Sequence, residues 1–162
     1  MIEASPTRLL SPHYRLNDGA GVWTELRFDD HAGDAGFVLD GRRYRAVAER
    51  PRESLWRAVV RAAGGRQLYR LEEGGSVIAH AEGGGLRARY RVWTDDGAAY
   101  ELHEEGKLVR LACDGAVVGR VGRRGGLSRG LWAELPDSVP APLRVFILWL
   151  LLRRWETVHA GH

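Results

Sequence analysis

The chain is short of the residues from which many sites are built. Of its 162 residues one is cysteine, Cys113, so no intrachain disulfide can form and no cysteine-based zinc site can be assembled. A reducing compartment suits such a chain. There is no run of the ~20 apolar residues that a membrane-spanning helix requires. The opening, MIEASPTRLLSPHYRL, carries an acid at Glu3, early prolines and no apolar core of signal-peptide length, so a cytoplasmic location is the expectation. Charge of one sign is also lacking in strength, because 24 Lys plus Arg stand against 21 Asp plus Glu, a net of +3. Dedicated nucleic-acid binders are far more basic, and a nucleic-acid partner is not favoured.

What the chain has in abundance is glycine, 21 residues, placed at short intervals in pairs such as Asp40-Gly41, Gly74-Gly75 and Asp114-Gly115. Such pairs supply the positive φ angles of tight hairpins. The segments between them alternate. In LRARYRVW, Leu86, Ala88, Tyr90 and Val92 share one face, with Arg87, Arg89, Arg91 and Trp93 on the other. RQLYRLEE, SVIAHAE, AAYELHEE, KLVRLAC and AVVGRV follow the same rule at hairpin spacing, which describes a meander of short antiparallel strands. ESLWRAVVRAAGG fits a short helix capped by Ser54 as well as a strand; strand is preferred, since Gly64-Gly65 then turns directly into RQLYRLEE. His13 to Glu134 yields ten to twelve strand candidates.

The period changes near the end. Val145 to Leu152 is an unbroken run of eight apolar residues, enough to cover the full circumference of a helix. Asp137 or Ser138 is placed to cap this helix, Pro140 or Pro142 to open it, and Arg153 and Arg154 to meet the negative pole at its carboxyl end. A helix apolar on every side must be enclosed. Barrels of about eight strands are filled by their own side chains, whereas those of about eleven have room for an axial helix. The expectation is a single domain over residues 1–162, mainly β: a closed antiparallel barrel of about 10–12 strands at about 10–136, with a hydrophobic helix at about 139–156 through its centre. The competing reading leaves this tail exposed for a membrane.

In YRVWTDDGAAYELHEEGKLVRLACDGAVVGRV, in the basic GRRGGLSRGLW and in the closing VPAPLRVFILWLLLRRW, the chain resembles the tubby carboxyl-terminal superfamily, which includes the phospholipid scramblases and the LURP-one-related proteins. The resemblance implies the same barrel around a terminal helix. It also implies a binding or scaffold role rather than catalysis, since tubby proteins bind phosphoinositides through a basic surface.

Candidate chemistry is sparse. From Val117 to Arg154 there are seven arginines against two acids, and Arg120, Arg123, Arg124 and Arg129 gather in a glycine-rich stretch. Guanidinium forks and backbone N–H groups together suit a phosphate. These four are the candidate binding residues, and anionic phospholipid or another polyanion is the candidate partner; no metal or cofactor is expected. GLSRG matches the G-x-S-x-G pattern with Ser128 as nucleophile, and Asp137 and His159 follow in hydrolase order, so a small hydrolase is the alternative. The setting is wrong for it, because that elbow joins a strand to a helix within a parallel sheet. Asp29, Asp30, His31 and Asp34 read as a solvated turn, Cys113 as a small strand-end residue, and His80 and His103 as strand residues.

Overall fold

Alternation along the chain becomes the two faces of a wall. In the segment Arg89–Thr94, Tyr90 and Val92 are buried while Arg89 and Arg91 are exposed, as the pattern predicts. The computed structural model describes residues 1–7, 13–29, 33–49, 66–84, 88–125 and 129–159, with side chains in the final segment as far as Trp155. The expected strand or helix at 54–63 lies outside the described residues, as do Leu86 and Arg87.

Twelve strands are described: β1 (Ile2–Pro6), β2 (His13–Asn17), β3 (Val22–Phe28), β4 (Ala35–Leu39), β5 (Arg42–Ala48), β6 (Gln67–Glu73), β7 (Ser76–Gly83), β8 (Arg89–Thr94), β9 (Ala99–Glu105), β10 (Leu108–Cys113), β11 (Ala116–Arg123) and β12 (Leu131–Glu134). Each pairs antiparallel with its neighbour in sequence, and β1 pairs with β12 to close the barrel. That closing register sets Ile2 against Ala133, Glu3 against Trp132 and Ala4 against Leu131. The barrel therefore begins at Ile2, ahead of the expected start near residue 10. β1 was not foreseen because IEASP shows only a short, weak alternation ended by proline. Asp40-Gly41 and Asp114-Gly115 have positive φ at both residues, the geometry of two-residue hairpins whose twist matches the strands they join.

One seam is looser. Among the described residues β3 and β4 pair only through Arg27↔Gly36 and Phe28↔Ala35, and farther along the Thr24 hydroxyl donates to the Val38 carbonyl at 2.7 Å. A side chain there takes the place of a backbone donor.

The helix α1 (Ala141–His159) fills the interior. Every side chain from Val145 to Leu152 is at most 1% exposed, so the run is enclosed on all sides and the exposed-tail reading is overturned. The enclosing wall makes room with small residues: Ala4, Ala46, Ala79, Ala81, Ala88 and Ala133 are all inward and at most 1% exposed. Bulky helix residues fill the space this leaves. The Trp149 ring stacks on Phe146 at 5.6 Å and meets Tyr69 edge-on at 5.7 Å, while its indole N–H donates to the Gly33 carbonyl at 3.1 Å.

The helix start differs from expectation. The Pro140 carbonyl accepts the Arg144 N–H at 3.0 Å, which makes Pro140 the capping position and leaves Asp137 and Ser138 in the preceding turn. Asp137 serves instead as an ion-pair partner of Arg144 at 3.2 Å. At the other end the helix continues to His159, so Arg153 and Arg154 lie short of its terminus.

Burying a large apolar side chain contributes about 1.5–3 kcal/mol, so eight of them contribute on the order of 15 kcal/mol. That matches or exceeds the ~5–15 kcal/mol net stability of an ordinary domain. Removal of residues 143–162 should leave an insoluble or molten chain, and Trp149→Asp, which buries an unpaired charge, should prevent folding. Circular dichroism with thermal melting checks both; a cooperative transition in the truncated protein would refute the role of the helix as core.

Candidate functional site

In an up-and-down barrel alternate connections fall at the same end. One end has the short links at 18–21, 40–41, 74–75, 95–98 and 114–115, and receives the start of α1. The other has links at 7–12, 29–34, 49–66, 84–88, 106–107 and 124–130, most of them longer, and from it the helix carboxyl end emerges. Binding residues concentrate on long connections held by a rigid scaffold. All four candidate arginines belong to β11 or to the link that follows it toward this end.

They do not form one cluster. Arg120 and Arg123 are in β11 itself, not in the connection, and strand parity sends them to different places. Val121 is fully buried, so Arg120 and Gly122 face outward while Arg123 continues the inward set at the barrel rim. Arg120 pairs with Glu134 on the outer wall at 2.5 Å and lies over the Trp132 ring at 5.9 Å. The same indole covers Gly122, where an added Cβ would stand 2.6 Å from ring atoms. Arg124 pairs with Glu3 at 2.6 Å, and Arg129 is exposed.

Arg123 is the member that reaches the mouth. Its guanidinium lies 4.6 Å from the Trp155 ring centre, on the last described turn of the central helix. Arg154 approaches Glu104 at 3.5 Å, and Arg153 lies over the rings of Tyr69 and Trp149 at 5.4 and 6.0 Å. Glu104 also accepts the Ala88 N–H at 2.6 Å, which fixes its carboxylate at the rim. Burial lowers the pKa of Arg123, the Glu104 charge opposes that, and the Arg154 charge adds to it. These three side chains thus share one electrostatic environment. Burial also pushes the Tyr90 hydroxyl far above its ordinary range, with Arg154 and Arg153 acting against the rise, and it raises Tyr69 against the pull of Arg153.

The mouth therefore brings together Arg123, Arg153, Arg154, Tyr69, Tyr90 and Glu104. Of these, only Arg123 was singled out from sequence as a binding residue. Arg153 and Arg154 had been assigned to the helix pole, and the tyrosines to a core face. The parity of Arg123 with Val121 was the available signal. Tyr69 and Tyr90 are buried, the Tyr69 hydroxyl donating to Gln67 Oε1 at 3.3 Å, so what the group presents outward is the guanidinium of the exposed Arg123, a fork suited to an anion.

The other candidates are dispersed. Ser128 lies outside the described residues, and the strands flanking it are antiparallel neighbours rather than the strand and helix of a nucleophile elbow. Asp137 is fully exposed in its pair with Arg144, and the His159 side chain lies outside the described set. Asp34 accepts the Ala48 N–H at 3.0 Å, and Arg45 lies within 3.7 Å of Asp34 and 3.3 Å of Asp29. Asp30 and His31 are outside the described residues. Among the described residues no three or more His, Cys, Asp or Glu are grouped as metal ligands. Cys113 ends β10, partly buried, and His80 stacks on Trp93 at 5.5 Å.

Fold and site together define a closed up-and-down β-barrel filled by its own carboxyl-terminal helix, with an arginine- and tyrosine-lined mouth where that helix emerges. No helix among the described residues is long and apolar enough to cross a membrane. Set against family models, curated proteins and solved structures, the chain matches none of them.

The tyrosines give a pH signature. An unfolded chain releases their protons near pH 10, whereas the folded barrel holds them longer. The folded pKa exceeds the unfolded one, so this contribution is complete below pH 10 and is lost as the pH climbs past it. The melting temperature should fall from about pH 10 upward, and less steeply in Tyr90→Phe. Melting curves between pH 8 and 11 check this; equal slopes in the two proteins would show that Tyr90 does not carry the effect.

Proposed function

We propose that this protein is a non-enzymatic binding or scaffold module that takes an anionic partner, a phospholipid headgroup or another polyanion, at the mouth where its helix emerges. The observation that carries the reading is Arg123, exposed at the barrel rim, with its guanidinium 4.6 Å from the Trp155 ring and within reach of the Arg154 charge, followed in sequence by the exposed Arg124 and Arg129. Two further points support it. A barrel occupied by its own helix has given up the central cavity in which a small substrate would be enclosed. The resemblance to tubby domains, barrel first and core helix last, points to binding rather than catalysis.

Exposed charges are screened over about 8 Å at physiological ionic strength, so retention on anionic liposomes should fall as salt rises. Each arginine near an anionic surface contributes on the order of 1 kcal/mol. A variant with Arg120, Arg123, Arg124 and Arg129 all changed to Gln should therefore lose retention on the order of tenfold or more. Arg120→Gln alone should change little, because Glu134 already holds that guanidinium on the outer wall. Cosedimentation with liposomes with and without phosphoinositide, on proteins shown to melt alike, measures this. Equal retention of wild type and the fourfold variant, or retention of neither, would reject the reading.

A further inference from the structure

The opposite end of the barrel has a pocket of its own. Where α1 enters, an opening of about 280 Å³ lies between the wall and the first turn of the helix, floored by Leu71, Ile78, Ala79 and Leu143. This is near the lower limit of small-molecule sites, ~300–1,000 Å³. Leu71, Ala79 and Leu143 are each at most 2% exposed, so the floor is made by core side chains in fixed positions. Asp95 and Asp96, from the link between β8 and β9, stand at the rim.

The rim sets the sign of the ligand. Asp96 accepts hydrogen bonds from the Thr94 hydroxyl and from the Ala98 N–H, the latter at 3.4 Å. The hydroxyl bond first, and then the backbone one, hold its carboxyl below the usual range, so it is ionised at neutral pH. Asp95 is 65% exposed, with the His80 imidazole 3.8 Å away. A helix amino end ordinarily favours an anion through its free N–H groups. Here the first helical bond runs from the Arg144 N–H to the Pro140 carbonyl, and of the four positions ahead of it Pro140 and Pro142 have no N–H, which leaves only those of Ala141 and Leu143. The Arg144 guanidinium is engaged by Asp137 at 3.2 Å and lies over Trp23 at 5.1 Å. Two full negative charges thus face a weakened positive pole across an apolar floor.

We infer that this pocket binds a small aliphatic amine, with its hydrocarbon chain against Leu71, Ile78, Ala79 and Leu143 and its ammonium between Asp95 and Asp96. The reading is independent of the anion site at the other mouth.

Three probes of one chain length separate the contributions: n-hexylamine, n-hexanol and n-hexanoate. Titrated into the ¹⁵N-labelled protein, the amine should bind most tightly, the alcohol less and the carboxylate least, with shifts centred on residues 78–79, 94–96 and 143. Exposed ion pairs contribute modestly, so Asp95→Asn with Asp96→Asn should weaken the amine by about twofold to thirtyfold and leave the alcohol unchanged. The amide oxygen at position 96 still accepts from Thr94, which preserves the turn. Ile78→Trp should fill the pocket and abolish binding of all three; if that variant fails to fold, the ranking of probes on the wild type and the double variant decides. Hexanoate binding as tightly as hexylamine, shifts centred elsewhere, or no binding of the amine would overturn the inference.

Discussion

Everything in this molecule depends on enclosing a helix that has no polar side. From Val145 to Leu152 each side chain must leave water, and a single sheet face would cover only part of the circumference. A closed wall meets that demand. The closure in turn requires a strand beside β12, and β1 supplies it from the far end of the chain. The first few residues and the last helix are therefore mutually dependent, although nearly the whole sequence separates them.

The same constraint accounts for features that read as ornament in the sequence. Alanine is abundant and in isolation suggests only genome composition, yet inward alanines on β1, β5, β7 and β12 make the wall thin enough for Phe146 and Trp149 to fit. Trp149 shows the limit of pure apolar filling. Its indole N–H needs an acceptor once buried, and the Gly33 carbonyl provides it. Polar demands of this kind recur only toward the ends of the helix, where Arg144 and Arg153 are held against aromatic rings.

The barrel's two ends consequently differ in chemistry. At one, short hairpins and a proline-flanked helix start leave an apolar pocket with an acidic rim. At the other, the helix end is rich in arginine, and burial of Tyr69 and Tyr90 close to those arginines holds both phenols protonated. The four arginines picked from sequence do not gather into one group. Their spacing within one stretch suggested a loop. Strand parity instead placed Arg120 on the outer wall, where Glu134 holds it, and Arg123 over the mouth beside Trp155.

Local rules were enough for much of this architecture. Period-two alternation marked Tyr90 and Val92 as inward and Arg89 and Arg91 as outward; Asp40-Gly41 and Asp114-Gly115 marked hairpins; and eight consecutive apolar residues demanded a helix buried on all sides. Those features follow from side-chain direction and φ preference, which neighbouring residues decide. Closure was not of this kind, because IEASP becomes a strand only when β12 and β2 lie on either side of it. Nor was the helix cap, since Pro140 is selected by where the chain enters the barrel rather than by its own preference. The meeting of Arg123 with Arg154 and Glu104 was likewise beyond local reading: it depends on barrel register and on how far the helix projects, and both are set by packing among residues remote in sequence.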